Sequence, residues 1–147
     1  MPKKTYQRNS ARRLIDGLAG ITTRLGIGSR MGVLTTRGRT SGEPRSTPVD
    51  LIRLDGRLHV VGIYGAVAWV HNLRAEPRCS VRHGRRETSY HARELTPVEG
   101  APILREYLRT SSVVLDYQDV GPEAPAAAME SAAAVRPVFR LRPLSED

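Results

Sequence analysis

Hydrophobic positions along the chain fall into short runs whose period changes from segment to segment. Ala11, Leu14, Ile15, Leu18, Ile21 and Leu25 recur at helical spacing, with Arg12, Arg13, Asp16 and Arg24 on the opposite face. This predicts an amphipathic helix over 10–25, with Ser10 as its N-cap and Gly26 and Gly28 closing it. Residues 32–36, 46–54 and 57–64 are rich in β-branched and apolar side chains and read as strands. Asp55-Gly56 between the last two is a hairpin signal, because a two-residue type I′ turn needs positive φ at both positions. Leu58, Val60, Val61 and Ile63 make both faces of the third strand apolar, which predicts a central one.

Residues 66–75 then read as a helix halted ahead of Pro77. A second hairpin joins 79–82 to 87–94 around His83-Gly84. Thr96-Pro97-Val98-Glu99 has the form of a capping box with proline at the first helical position. Gly100 and Pro102 disturb the turns that follow, so regular helix is expected only from Pro102. Ile103, Leu104, Tyr107 and Leu108 give that helix a buried stripe. An alanine-rich helix over 121–134 and a last strand over 138–141 complete the chain. Strands joined by hairpins argue against a doubly wound parallel sheet. The expected fold is α+β, a small closed or split β-barrel of about six strands with flanking helices. Residues 1–147 read as a single domain: a flexible lead over 1–9, the helix over 10–25 and a barrel over 32–143.

Composition narrows the partners. With 147 residues, 39% of them hydrophobic, one core can form, and a single Trp and Phe leave it to Val, Leu, Ile and Ala. No run of about 20 apolar residues exists to span a bilayer, and no secretory h-region follows the first residues. One cysteine, Cys79, has no internal partner, and no Cys/His cluster has zinc spacing, so no metal is expected and the location reads as cytoplasmic. A net charge of +8 asks for a polyanion: nucleic acid, an acidic membrane surface or a phosphorylated cofactor. Tyr90, Tyr64 and Phe139 are too few strand aromatics for single-stranded nucleic acid, so none is expected. Peripheral contact with the inner face of the membrane is left open, although the 10–25 helix has no Trp or Phe to anchor it.

The segment richest in candidate chemistry is Thr35-Thr36-Arg37-Gly38-Arg39-Thr40-Ser41-Gly42-Glu43-Pro44-Arg45-Ser46-Thr47-Pro48. Arginine forks match phosphate and carboxylate oxygens, glycines let backbone approach an anion, and hydroxyls add neutral donors. The same composition also suits a solvated basic hairpin. It is not a Walker loop, since no Gly-Lys-Ser/Thr leads into a helix.

Together with Ala68-Trp69-Val70-His71-Asn72-Leu73-Arg74-Ala75-Glu76-Pro77, that segment resembles the deazaflavin (coenzyme F420)-dependent nitroreductase family of actinobacteria. The likeness runs from about Gly32 to Pro143. It implies a split barrel of the flavin-reductase type that binds coenzyme F420 (8-hydroxy-5-deazaflavin). It also implies hydride transfer to a quinone, nitroaromatic or activated alkene. The cofactor residues it implies are Thr36, Arg37, Gly38, Arg39, Thr40, Ser41, Arg45, Pro48, Gly62, Ile63, Tyr64, Gly65, Trp69 and Asn72. Arg37, Arg39 and Arg45 would hold the anionic tail. Tyr64, His71 and Tyr117 are the candidate proton donors; Tyr107, on a helix's inner stripe, reads as core. The family's lysine after Gly-Arg is Thr40 here, so its hold on the tail is either missing or supplied by Arg37. Asp50 replaces a neutral residue and reads as an exposed strand position, and the 62–67 connection is short. The alternatives are a barrel loaded with flavin mononucleotide, heme or lipid, and less readily a nucleic-acid module. Split barrels often dimerise, but no interface pattern is readable.

Overall fold

The computed structural model describes residues 30–110 and 120–144. The helix expected over 10–25 and the candidate Tyr117 lie outside them. In chain order the elements are β1 (Met31–Arg37), β2 (Pro44–Leu54), β3 (Arg57–Val61), α1 (Ala68–Ala75), β4 (Arg78–His83), β5 (Arg86–Glu94), α2 (Pro97–Thr110), α3 (Ala126–Val135) and β6 (Val138–Pro143). The six strands close into a barrel in the order β1-β2-β3-β6-β5-β4, every pair antiparallel. Closure removes the unpaired edges that an open sheet of this size would expose.

Alternation along the strands sorts apolar side chains into two clusters. Leu34, Val49, Leu58, Val60, Val81, Phe139 and Leu141 fill the barrel, where Val70 and Leu73 of α1 join them. Ile52, Val61 and Val138 point outward and are covered by Ile103, Leu104, Tyr107 and Leu108 of α2 and by Met129, Ala132 and Ala133 of α3. β3 therefore has both faces buried, as its sequence predicts. Each large side chain so enclosed contributes about 1.5–3 kcal/mol over its exposed state.

Local signals explain most boundaries. Asp55 and Gly56 have φ of 55° and 73°, the two positive values a type I′ hairpin requires. Thr96 N–H donates to Glu99 Oε1 (3.0 Å) and Glu99 N–H to Thr96 Oγ1 (3.2 Å), closing the capping box. Helix α2 begins there rather than at Pro102, and Gly100 lies where a Cβ would come within 3.0 Å of Val138, so it permits close packing on β6.

Three further expectations shift. β3 ends at Val61 instead of 64, because Gly62 N–H bonds Pro137 O (2.7 Å) and Gly65 N–H turns back to Gly62 O (2.9 Å). The second hairpin turns on Gly84-Arg85, one residue later than expected, with the positive φ at Gly84. The alanine-rich helix begins at Ala126 because residues 121–125 are taken up by a turn and Pro125. Among the described residues, no helix is long and apolar enough to cross a membrane.

Candidate functional site

The turn between β1 and β2 is shaped by its own backbone. Gly38 N–H bonds Glu43 O and Gly42 N–H bonds Gly38 O, both at 2.8 Å, while Glu43 N–H bonds Ser41 Oγ at 3.1 Å. Gly38 admits no side chain, since a Cβ there would sit 2.7 Å from Ser41 Oγ and 3.1 Å from Glu43 O. The amides of Gly38, Arg39, Gly42 and Glu43 are thus taken up inside the protein. Arg37 is turned away, its Nε donating to Gly42 O at 3.3 Å.

Asn72 of α1 locks this turn to the barrel. Its side chain is buried, and Oδ1 accepts from both the Arg39 backbone N–H and Arg39 Nη1, each at 3.1 Å. Its Nδ2 donates to the buried Thr36 Oγ1 at 3.1 Å. Arg39 Nη1 also reaches Ala68 O at 3.5 Å, so turn and helix share one guanidinium. Trp69 packs against Phe139 with ring centroids 5.9 Å apart and is half-buried.

Between the turn, β2 and the start of α1 lies a groove of about 700 Å³. Its lining combines Arg39, Arg45 and the hydroxyls of Thr40, Ser41, Ser46 and Thr47 with Pro48, Tyr64, Val67 and Trp69. A lining of guanidinium groups, hydroxyls and apolar surface suits a ligand with an anionic tail and a flat ring system.

The family model of the F420H(2)-dependent quinone reductases matches residues 6–123. The chain belongs to that family. Solved structures agree in fold. A domain-swapped dimer is 22% identical with a TM-score of 0.58, covering 97% of this chain and 100% of that one. An F420-H2 dependent reductase is 22% identical with a TM-score of 0.53, covering 80% and 100%. A FAD-binding protein from Mesorhizobium loti is 20% identical with a TM-score of 0.51, covering 83% and 86%. The barrel is thus of the kind that the resemblance implies, and the chain is an F420-dependent oxidoreductase of that family. The donor set fits the chemistry of the coenzyme: guanidinium groups and hydroxyls suit a phosphate and carboxylates, and apolar surface suits a ring.

Of the candidate residues from the sequence, the groove gathers Thr36, Gly38, Arg39, Thr40, Ser41, Arg45, Pro48, Tyr64, Trp69 and Asn72. Arg37 is not among its lining residues. Gly62, Ile63 and Gly65 are also absent from its lining. Ile63 is buried in the cluster beneath α2 and α3, and Gly62 sits where a Cβ would meet Gly65 O at 2.9 Å. His71 is half-buried on α1 outside the lining. Asp50 is not an exposed strand residue: it is half-buried and accepts a 2.7 Å hydrogen bond from the buried Tyr107 hydroxyl. Ser46, Thr47, Val67 and Ala68 line the groove as well, and sequence reasoning misses them as ligand contacts. Ser46 and Thr47 stand within the basic segment itself, and Val67 and Ala68 immediately precede Trp69.

Proposed function

We propose that this protein passes hydride from F420H2 to a small organic acceptor, a quinone first, with nitroaromatics and activated alkenes open to the same chemistry. The observation that carries this reading is the groove, whose lining joins Arg39 and Arg45 to the apolar surface of Pro48, Val67, Trp69 and Tyr64. When bound, reduced deazaflavin supplies a hydride from C5, and the protein supplies orientation and electrostatics. Arg39 and Arg45 hold the phosphate and carboxylates of the tail, helped by Thr40, Ser41, Ser46 and Thr47. Asn72 fixes Arg39 before the coenzyme arrives. Trp69 and Pro48 would keep water from the bound ring. Tyr64, 75% exposed at the groove, borders the acceptor side. Its phenol or water donates the proton that must follow hydride. The likeness to a domain-swapped dimer supports a homodimer for this chain as well.

The test is a titration of coenzyme F420 read by quenching of its fluorescence, followed by oxidation of F420H2 with a simple quinone. Binding on the order of micromolar is expected. Arg39→Ala and Arg45→Ala should each weaken it about tenfold or more, the scale of a lost charge-assisted hydrogen bond. Added salt should weaken it further. If F420 fails to bind while flavin mononucleotide binds the same groove, the proposed chemistry is wrong and the barrel carries a different flavin.

A further inference from the structure

A second groove, of about 600 Å³, lies on another part of the barrel wall and shares no lining residue with the first. Its rim carries Arg53, Arg57, Arg93, Arg140 and Arg142 together with His91, and no carboxylate is among the described residues lining it. Strand register explains how arginines so far apart in sequence come together. His59 on β3 pairs with Arg140 on β6, which pairs with Arg93 on β5, making one row across three strands. In the next row outward Arg142 pairs with His91, and Arg57 falls beside Arg142 because its neighbour Leu58 pairs with Leu141. The partly buried Tyr90 and Pro143 supply apolar surface beside this charge.

One arginine is held in place from beneath. Arg140 Nε–H donates to His59 Nε2 at 3.2 Å, so that nitrogen carries no proton. The proton of the neutral ring is therefore on Nδ1, which donates to Ile52 O at 3.2 Å. His59 is 1% exposed, and burial lowers its pKa, which keeps the ring neutral. A buried acceptor thus fixes the Nε side of the Arg140 fork. Fixing a guanidinium in advance reduces the freedom lost when an anion docks. Arg93 is partly occupied by Glu99 at 3.5 Å, a long and exposed contact that an incoming anion can replace.

We infer that the β3–β6–β5 groove is a binding site for a small organic polyanion, a polyphosphate or polycarboxylate with an apolar body, separate from the coenzyme groove. The volume fits a small molecule and is short for a nucleic-acid strand that runs past several nucleotides. A second copy of the chain docked by this face about a two-fold axis would set arginines against arginines, which disfavours it.

The experiment is calorimetric titration of the full chain at near-physiological salt, with adenosine triphosphate as the probe carrying an aromatic body and tripolyphosphate as the probe of charge alone. One-to-one binding is expected, tighter for adenosine triphosphate. Exposed Arg57 and Arg142 are changed together to Gln, and retention of the melting temperature shows that the fold survives. That variant should weaken binding at least tenfold, and Arg39→Ala should leave it unchanged. His59→Gln retains a side-chain acceptor and should bind better than His59→Leu. Loss of binding in Arg39→Ala with no loss in the Arg57/Arg142 variant overturns the inference, because the probe then occupies the coenzyme groove. Binding seen only at low salt and indifferent to which arginine is changed also overturns it. So does tighter, multi-site binding of an oligonucleotide, or light scattering that shows a dimer broken by the Arg57/Arg142 change.

Discussion

Asn72 is where stability and the proposed ligand binding meet in one side chain. It satisfies the Arg39 amide, the Arg39 guanidinium and the Thr36 hydroxyl from a position with almost no solvent access. Replacing it with Ala leaves buried polar groups without partners, which costs about 1–3 kcal/mol of folding stability. Asn72→Ala should therefore lower the urea midpoint and also weaken coenzyme F420 binding, since Arg39 loses its anchor. A variant that binds poorly yet melts like wild type would mean that Asn72 touches the coenzyme directly instead of bracing the turn. Arg39 and Arg45 stand out in the sequence as arginines set among glycines and hydroxyls, and both line the groove. Arg37 shares that composition but not the groove, and alternation holds the clue: Thr36 is buried toward the barrel, so its neighbour on the strand faces away. The bracing role of Asn72 is hidden in the sequence because its partners lie 33 and 36 residues away.

Elements are legible where a local interaction decides them. The Asp55-Gly56 hairpin and the Thr96–Glu99 capping box follow from turn and cap chemistry contained within four residues. The end of β3 is not legible, because the Gly62 amide is drawn off by Pro137, a partner far along the chain. The start of α2 is obscured for a similar reason: Gly100 looks like a helix breaker until Val138 is seen against it. The arginine groove on β3, β6 and β5 leaves no trace in any one segment, since its residues meet only through strand register. The cap itself can be tested. Thr96→Ala removes the hydroxyl that receives the Glu99 amide, and should cost about 1 kcal/mol. Urea unfolding should show a lower midpoint at an unchanged m-value. An unchanged midpoint would show that packing on α3 and β6 alone sets the helix start.

Across the whole molecule the two grooves gather arginines on separate parts of one barrel, in a chain of net charge +8. The barrel also buries two titratable groups that oppose extremes of pH. His59 has its pKa lowered by burial, with Arg140 and Arg57 adding repulsion and hydrogen bonds to backbone acting against them. Its protonated form is favoured in the unfolded chain. Stability is therefore complete above the ordinary histidine value of 6.5 and declines as pH falls from there toward the folded value. Cys79 behaves in the opposite sense: burial pushes its thiol from 9.0 up to about 12. The unfolded chain then releases a proton that the folded chain keeps, so stability declines as pH rises from 9.0 toward 12. The two shifts together predict a stability plateau between about pH 6.5 and 9, set by these groups and not by the isoelectric point near 10.5. Urea midpoints measured from pH 5 to 10.5 should trace that plateau. Cys79→Ala should flatten the alkaline limb alone, and His59→Gln the acidic limb alone. A midpoint that kept rising toward pH 10.5 would show instead that relief of net positive charge, and not these two buried groups, governs the pH dependence.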